Sequence, residues 1–272
     1  MTVTTLDVLT FNLNNPSKNR AERQLDYLAA RPESVLVLTE TADSAGCALL
    51  ADEFRSAGYD VVFPPPPARG ERGVMIVSRL ATRPGPAGLS YLPHRAPSVT
   101  VQTEEGPVDV IGLYVPSRDA SPEKTERKTR FLEACHTDLP LGAVGARVVL
   151  GDFNVLEPDH TPRYRFFRPF EYRFYRWFAE VGYVDAFRRM HPDALEYSWV
   201  GRTGDGYRYD HAHVSTRLAT SVRSCSYIHD VRTGPDRLTD HSALGLSLAL
   251  RPAAPLAVTV PARAADTTTA LF

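Results

Sequence analysis

Residues 148–154 read Val-Val-Leu-Gly-Asp-Phe-Asn. Three consecutive apolar residues, two of them β-branched, make a strand of the kind that is buried on both faces. Gly151 breaks that run, and Asp152 and Asn154 follow it. A carboxylate and an amide are therefore held just past the end of a rigid element. They are two residues apart, so in extended backbone both point to the same side, which suits shared chemistry. Taken alone, Gly-Asp-Phe-Asn is more often a plain turn, so its weight depends on the rest of the chain.

Other short apolar runs end the same way. Thr4–Phe11 reads as a strand and delivers Asn12, with Asn14 facing the same side. Val35–Leu38 reads as the next strand, with Glu40 just beyond its end. Val108–Val115 follows a Glu105–Gly106 turn and delivers Tyr114, then Pro116, Ser117 and Arg118. Glu196–Val200 carries Trp199, and Tyr207–Ser215 carries Arg208, Asp210, His211 and His213. Asp240 and His241 precede a last strand, Ala243–Leu250. Helices are expected from a Ser17 cap to about Ala30, over Ala45–Ala57, and from Ser121–Pro122 to about Thr137. Between Arg163 and Trp177 arginines alternate with aromatic residues, the composition of a base-stacking surface. Phe170, Phe174, Trp177, Phe178 and Val181 share one helical stripe and read as core, leaving Tyr172, Tyr175 and Arg176, with Arg163–Arg168 before the helix, as candidates for contact with a polyanion.

With 272 residues, 43% of them hydrophobic, the chain can bury one sizeable core or two small ones. We assign residues 1–251 to one domain and 252–272, rich in Ala, Pro and Thr, to a mobile tail. The formal net charge of -1 argues against a broad basic surface, so any nucleic-acid contact must be local. Cys47, Cys135 and Cys225 have no CxxC spacing, which favours reduced thiols in a cytoplasmic protein over disulfides or a zinc site. No signal peptide, membrane span or obligate protein partner is evident, and a monomer is the default.

The segments TFNLN, LVLTET, GLYVPS, VVLGDFN, YRYDHAHVS and LTDHSAL, in this order over residues 10–244, together resemble the endonuclease/exonuclease/phosphatase superfamily. Within it the chain most resembles the exonuclease III and abasic-site endonuclease branch, through residues 182–188, His191–Pro192, Tyr197–Trp199 and Arg208–Asp210. Thr39 and Ser117 depart from the Gln and the Gln or Asn usual there, and His211 and His213 stand where an apolar strand is usual. The departures leave the phosphodiester chemistry in place and bear on the substrate. No role beyond packing or edge hydrogen bonding is assigned to the two histidines.

The resemblance implies an α/β fold, a deoxyribonuclease I-like four-layer sandwich of two packed mixed β-sheets flanked by helices, with the site at one end. Alternating helices and strands with interspersed hairpins agree with it. It also implies a divalent-metal-dependent phosphodiester hydrolase acting on nucleic acid, DNA in the first place. Glu40 would be the primary metal ligand, with Asn12 beside it and Asp240 near a second position. Asp152 would activate the attacking water, with Asn154 holding water or phosphate. Tyr114 and a His241–Asp210 pair would serve the phosphoryl oxygens, and Asn14, Ser117, Arg118 and Trp199 would contact substrate. Oxygen ligands without a Cys or His cluster point to a hard ion, Mg²⁺ or Mn²⁺. The alternatives are the same site acting on a small phosphoester, such as a phosphoinositide or nucleotide, and an inactive binding or scaffold protein.

Overall fold

The computed structural model describes residues 5–65, 68 and 70–261. Along the chain, β1 (Leu6–Asn12), α1 (Lys18–Ala29), β2 (Val35–Thr41), α2 (Ala45–Ser56), β3 (Asp60–Val62) and β4 (Gly73–Ser78) come first. Next are β5 (Thr82–Pro84), β6 (Ser98–Thr103), β7 (Gly106–Tyr114), α3 (Pro122–Asp138), β8 (Arg147–Asp152), α4 (Pro169–Glu180), β9 (Tyr183–Asp185) and α5 (Ala186–Met190). The chain closes with β10 (Trp199–Val200), β11 (Gly206–Tyr207), β12 (Asp210–Ser215), β13 (Val222–Ile228), α6 (Asp230–Thr233) and β14 (Ala243–Leu248).

These strands form two six-stranded sheets, ordered β13-β14-β1-β2-β4-β3 and β5-β6-β7-β8-β12-β9, and a small β10-β11 hairpin. Both sheets are mixed, because each holds one parallel pair, β1 with β2 and β7 with β8, among antiparallel neighbours. The helices α1 and α3 make the crossovers that parallel pairs require. Their starts follow the sequence: the hydroxyls of Ser17 and Ser121 accept hydrogen bonds from the backbone of Arg20 and Lys124.

Alternate residues of each strand separate the layers. Val8, Val37 and Val74 of the first sheet pack with Val110, Val148 and Leu150 of the second. The opposite face of the first sheet, including Leu9 and Phe11, packs with Leu25, Leu28, Leu50 and Phe54 of α1 and α2. On the outer face of the second sheet Leu113 and Val149 pack with Phe131 of α3 and Phe174 and Phe178 of α4. Each such fully buried side chain contributes roughly 1.5–3 kcal/mol. The result is the expected four-layer α/β sandwich. Gly112 sets how closely the sheets approach, since a Cβ there would stand 2.7 Å from Val74 and 2.8 Å from Val37.

Several local expectations need correction. Of Glu196–Val200 only Trp199–Val200 is strand, and Tyr207–Ser215 is interrupted at residues 208–209, between the hairpin and the second sheet. Tyr175 is no free contact residue: its hydroxyl donates to Asp185 (2.7 Å). Residues 252–261, expected to start a mobile tail, make main-chain bonds to β6, to the segment after β4 and to the C-terminal end of α2. Ala253 N–H donates to Gln102 (3.0 Å), Leu256 N–H to Arg79 (2.8 Å) and Thr259 N–H to Ala57 (2.8 Å). Backbone bonding replaces the missing hydrophobic periodicity there. Thr4 and residues 262–272 of that tail lie outside the described residues. No described helix is long and apolar enough to cross a membrane.

Candidate active site

The polar residues at the strand ends meet at one end of the sandwich. Asn12 and Asp152 close β1 and β8, Tyr114 closes β7, and Asp210 opens β12 directly opposite Asp152. Left-handed backbone marks the exits: Asn14 (φ 50°), Asn15 (φ 39°), Glu40 (φ 54°) and Asn154 (φ 48°) all adopt it without being glycine. Glu40 lies inside β2 rather than beyond it. The β2–β4 register shifts between Thr39 and Thr41, and this bulge turns the carboxylate toward the site. Gly151 is required by close approach, because a Cβ there would lie 2.0 Å from the Leu113 carbonyl.

Asn12 Nδ2 bridges the two sheets, donating to Glu40 Oε1 and to Asp152 Oδ2 at 3.2 Å each. Asp152 also accepts from the Asn154 backbone (2.9 Å) and side chain (3.1 Å). His241 Nδ1 lies 2.7 Å from Asp210 Oδ2, which leaves Nε2 for a ligand. The Glu40, Asp152 and His241 ligand-type atoms lie within 4.8 Å of one another. Burial pushes the Asp152 carboxyl well above its ordinary pKa, and the nearby Asp210 and Glu40 charges push it further, against the pull of His241. For His241 burial works against the charge, but Asp210 prevails and holds the imidazolium up to about 10. Tyr114 is kept protonated by burial and by Glu40 and Asp152. Converging, mutually repelling carboxylate oxygens of Glu40 and Asp152, with the Asn12 amide beside them, form a donor set that fits a hard divalent cation.

The adjoining cleft, ≈ 260 Å³, has Glu40, Asn154, Asp240 and His241 on one side and Phe166, Phe167, Trp199 and Tyr209 on another. Ser117 also lines it. Asp240 lines this cleft beside the Glu40–Asp152–His241 cluster, and its oxygens accept from Asn14 Nδ2 (2.9 Å) and Trp199 Nε1 (3.2 Å). Arg118 lines the cleft, but its guanidinium is spent on Glu171 (2.5 Å) and the Phe166 carbonyl (2.6 Å). It is therefore a strut of the wall.

Sequence reasoning missed the residues that hold this set in place. Lys128, buried, donates to the Asn154 carbonyl (2.6 Å) and pairs with Glu171 (2.8 Å). The Ser198 hydroxyl accepts from the backbone of Tyr209 (2.9 Å) and Asp210 (3.1 Å). Thr239 Oγ1 donates to the Asn12 carbonyl (2.6 Å), and Arg95 stacks on the Tyr114 ring, 4.6 Å from its centroid. Arg208, fully buried, pairs with Glu157 (2.8 Å) and Asp185 (2.7 Å) two residues before Asp210. Lys128 had one signal, since lysine occurs only at 18, 124 and 128 in a chain otherwise reliant on arginine.

The model of the Endonuclease/Exonuclease/phosphatase family matches residues 9–241. Among solved structures, an AP endonuclease from Archaeoglobus fulgidus is similar at 25% identity and TM-score 0.73, covering 89% of this chain and 99% of that one. The 3′-5′ exonuclease NExo from Neisseria meningitidis is similar at 25% identity and TM-score 0.75 with the same coverage. The 3′ phosphatase NExo from Neisseria, bound to a product DNA hairpin, shares the fold at 23% identity and TM-score 0.75, again covering 89% and 99%. No curated protein sequence matches the chain.

Proposed function

Since the chain belongs to the endonuclease/exonuclease/phosphatase family and is thus a phosphoesterase, we propose that it hydrolyses phosphodiester bonds of DNA with the help of Mg²⁺ or Mn²⁺. The observation that carries this reading is the Asn12–Glu40–Asp152–Asp210–His241 constellation, assembled from both sheets beside an aromatic-walled cleft. Likeness to a DNA-bound phosphatase, an exonuclease and an AP endonuclease supports DNA as the substrate.

Glu40, with Asn12 and Asp152 beside it, would hold the cation, which would neutralise charge on the phosphoryl oxygens. Asp152, made more basic by burial and by Asp210, takes a proton from the attacking water. The Asn154 amide, itself fixed by Asp152 and the Val115 carbonyl (3.1 Å), orients that water. His241, charged and aligned by Asp210, directs its Nε2–H at the developing oxyanion, and the Tyr114 hydroxyl supplies a second donor. Trp199, Tyr209 and Phe167 offer rings on which an unpaired base or exposed sugar can rest.

The test is incision of an end-labelled duplex carrying one abasic site, with Mg²⁺ or EDTA, using Asp152→Ala as control. We expect a single cut at the abasic site, or a ladder from the 3′ end, that needs both metal and Asp152. Absence of any DNA or RNA cleavage, alongside turnover of a small phosphoester, would overturn the reading.

A further inference from the structure

Asp240 is shared by two clefts. Beyond the catalytic one lies a second, ≈ 490 Å³, whose lining includes Asn14, Arg20, Arg202, Arg232, Arg237 and Asp240. Its four arginines come from four separate segments: α1, the turn between β10 and β11, α6, and the loop before Thr239. Two are held in place. Arg20 Nη2 donates to the Asn14 carbonyl (2.5 Å), and Arg232 Nε donates to Ser242 Oγ (3.0 Å). Arg202 and Arg237 are exposed.

The charge is unbalanced. The ion pairs among the described residues engage other arginines. The one acidic residue in the lining, Asp240, already accepts from Asn14 and Trp199. Arg232 loses basicity through burial and through the like charge of Arg237. Four arginines lining one cleft with a single acidic neighbour, on a chain of net charge -1, form a local site for an anion with several oxygens.

The two clefts share Asp240, so a strand whose phosphodiester sits in the catalytic cleft can extend into this one. We propose that this arginine cleft binds a backbone phosphate of the same nucleic-acid strand, at least one nucleotide away from the scissile bond. The inference rests on the DNA-hydrolase reading and adds to it a requirement: the substrate must extend past the cut phosphate. A small diester gains nothing from the cleft, whereas a strand gains both affinity and salt sensitivity through counterion release.

The experiment compares wild type with Arg202→Gln/Arg237→Gln on two substrates, an abasic-site duplex and bis(p-nitrophenyl) phosphate, over a range of salt. Both side chains are exposed, so the substitutions leave the packing intact. The ratio of kcat/KM for the duplex to kcat/KM for the small diester should fall about tenfold or more, through KM. The log–log salt slope for the duplex should flatten by about two, one per arginine. Arg202→Glu/Arg237→Glu should deepen both effects. Wild-type duplex cleavage with an unaltered ratio and slope in the variants would overturn the arginine cleft and leave the DNA-hydrolase reading standing. Wild-type turnover of the small diester without duplex cleavage would overturn both.

Discussion

Replacing His213 by Phe should remove an acid lability built into the second sheet. His213 is 2% exposed. Its ring stacks on Phe178 (4.4 Å) and Phe153 (5.5 Å) and meets Tyr175 edge-on (5.5 Å). Its Nε2 has no hydrogen-bond partner among the described residues. Burial depresses its pKa to about 3, against the pull of Asp185 and with some help from His211 and Arg208. An unfolded histidine titrates near ~6.5. Between these values the unfolded chain binds a proton that the native chain does not, so stability falls as pH falls. At pH 5 this one residue costs about 2 kcal/mol, from about 1.5 pH units at ~1.36 kcal/mol each, and at pH 7.5 almost nothing. Phe keeps the ring contacts and removes the proton site. Any overpacking penalty, about 1–3 kcal/mol, is the same at both pH values and cancels. Urea unfolding of both chains at pH 7.5 and 5.0 reads the difference: wild type should lose about 2 kcal/mol more than the variant on acidification. An equal loss in both chains would show that His213 takes up its proton in the folded protein, and the reasoning would fail.

Three further outcomes follow from the geometry. Gly151→Ala should destabilise by about 3 kcal/mol or more, measured by urea unfolding, because the new methyl meets the Leu113 carbonyl at 2.0 Å. Asp210→Asn should leave His241 with at best an ordinary pKa near ~6.5, so at pH 8 activity should drop by roughly thirtyfold and recover partly toward pH 6; a pH–rate profile parallel to wild type would contradict the assigned pair. Lys128→Met should cost about 3–5 kcal/mol by depriving buried Glu171 of one partner. It should also lower kcat by loosening Asn154, and a kinetic profile like wild type would separate stability from positioning.

The strand ends were legible because the chemistry and the local structure coincide there. Short Val- and Leu-rich runs were read to end at Phe11, Val115 and Leu150, and the strands end within two residues of these, at Asn12, Tyr114 and Asp152. The helix starts at Ser17 and Ser121 were legible for a similar reason, since a capping hydroxyl acts within three residues of itself. Glu40 was found as a site residue but misplaced along its strand, because a one-residue bulge leaves no compositional trace. Asp240 and Arg118 carried the right residue types, but their partners, Trp199 and Glu171, lie 41 and 53 positions away. The roles of Lys128, beyond the signal of its rarity, and of Ser198 were not legible either. Each acts by bonding a backbone group that only the folded chain brings near, and periodicity does not encode such pairs. Residues 252–261 follow the same logic, since they are held by main-chain bonds to Arg79, Gln102 and Ala57 that periodicity does not encode.

The order of strands in the first sheet constrains how the protein comes into being. β14 is the last strand among the described residues, yet it sits between β13 and β1, well inside the sheet. Everything from β5 to β12 intervenes before the chain returns to pair β14 with β1. On a ribosome, β1 must therefore wait, with one edge open, until nearly the whole chain has emerged. Closing that gap brings together residues far apart in sequence, which slows folding and makes it a late, all-or-none event. Asp240 and His241 immediately precede β14, so the nascent chain carries no complete catalytic set at any earlier stage. Hydrolytic competence arrives in the same step as the finished fold, and shortening the chain from its C-terminal side through β14 should abolish both together.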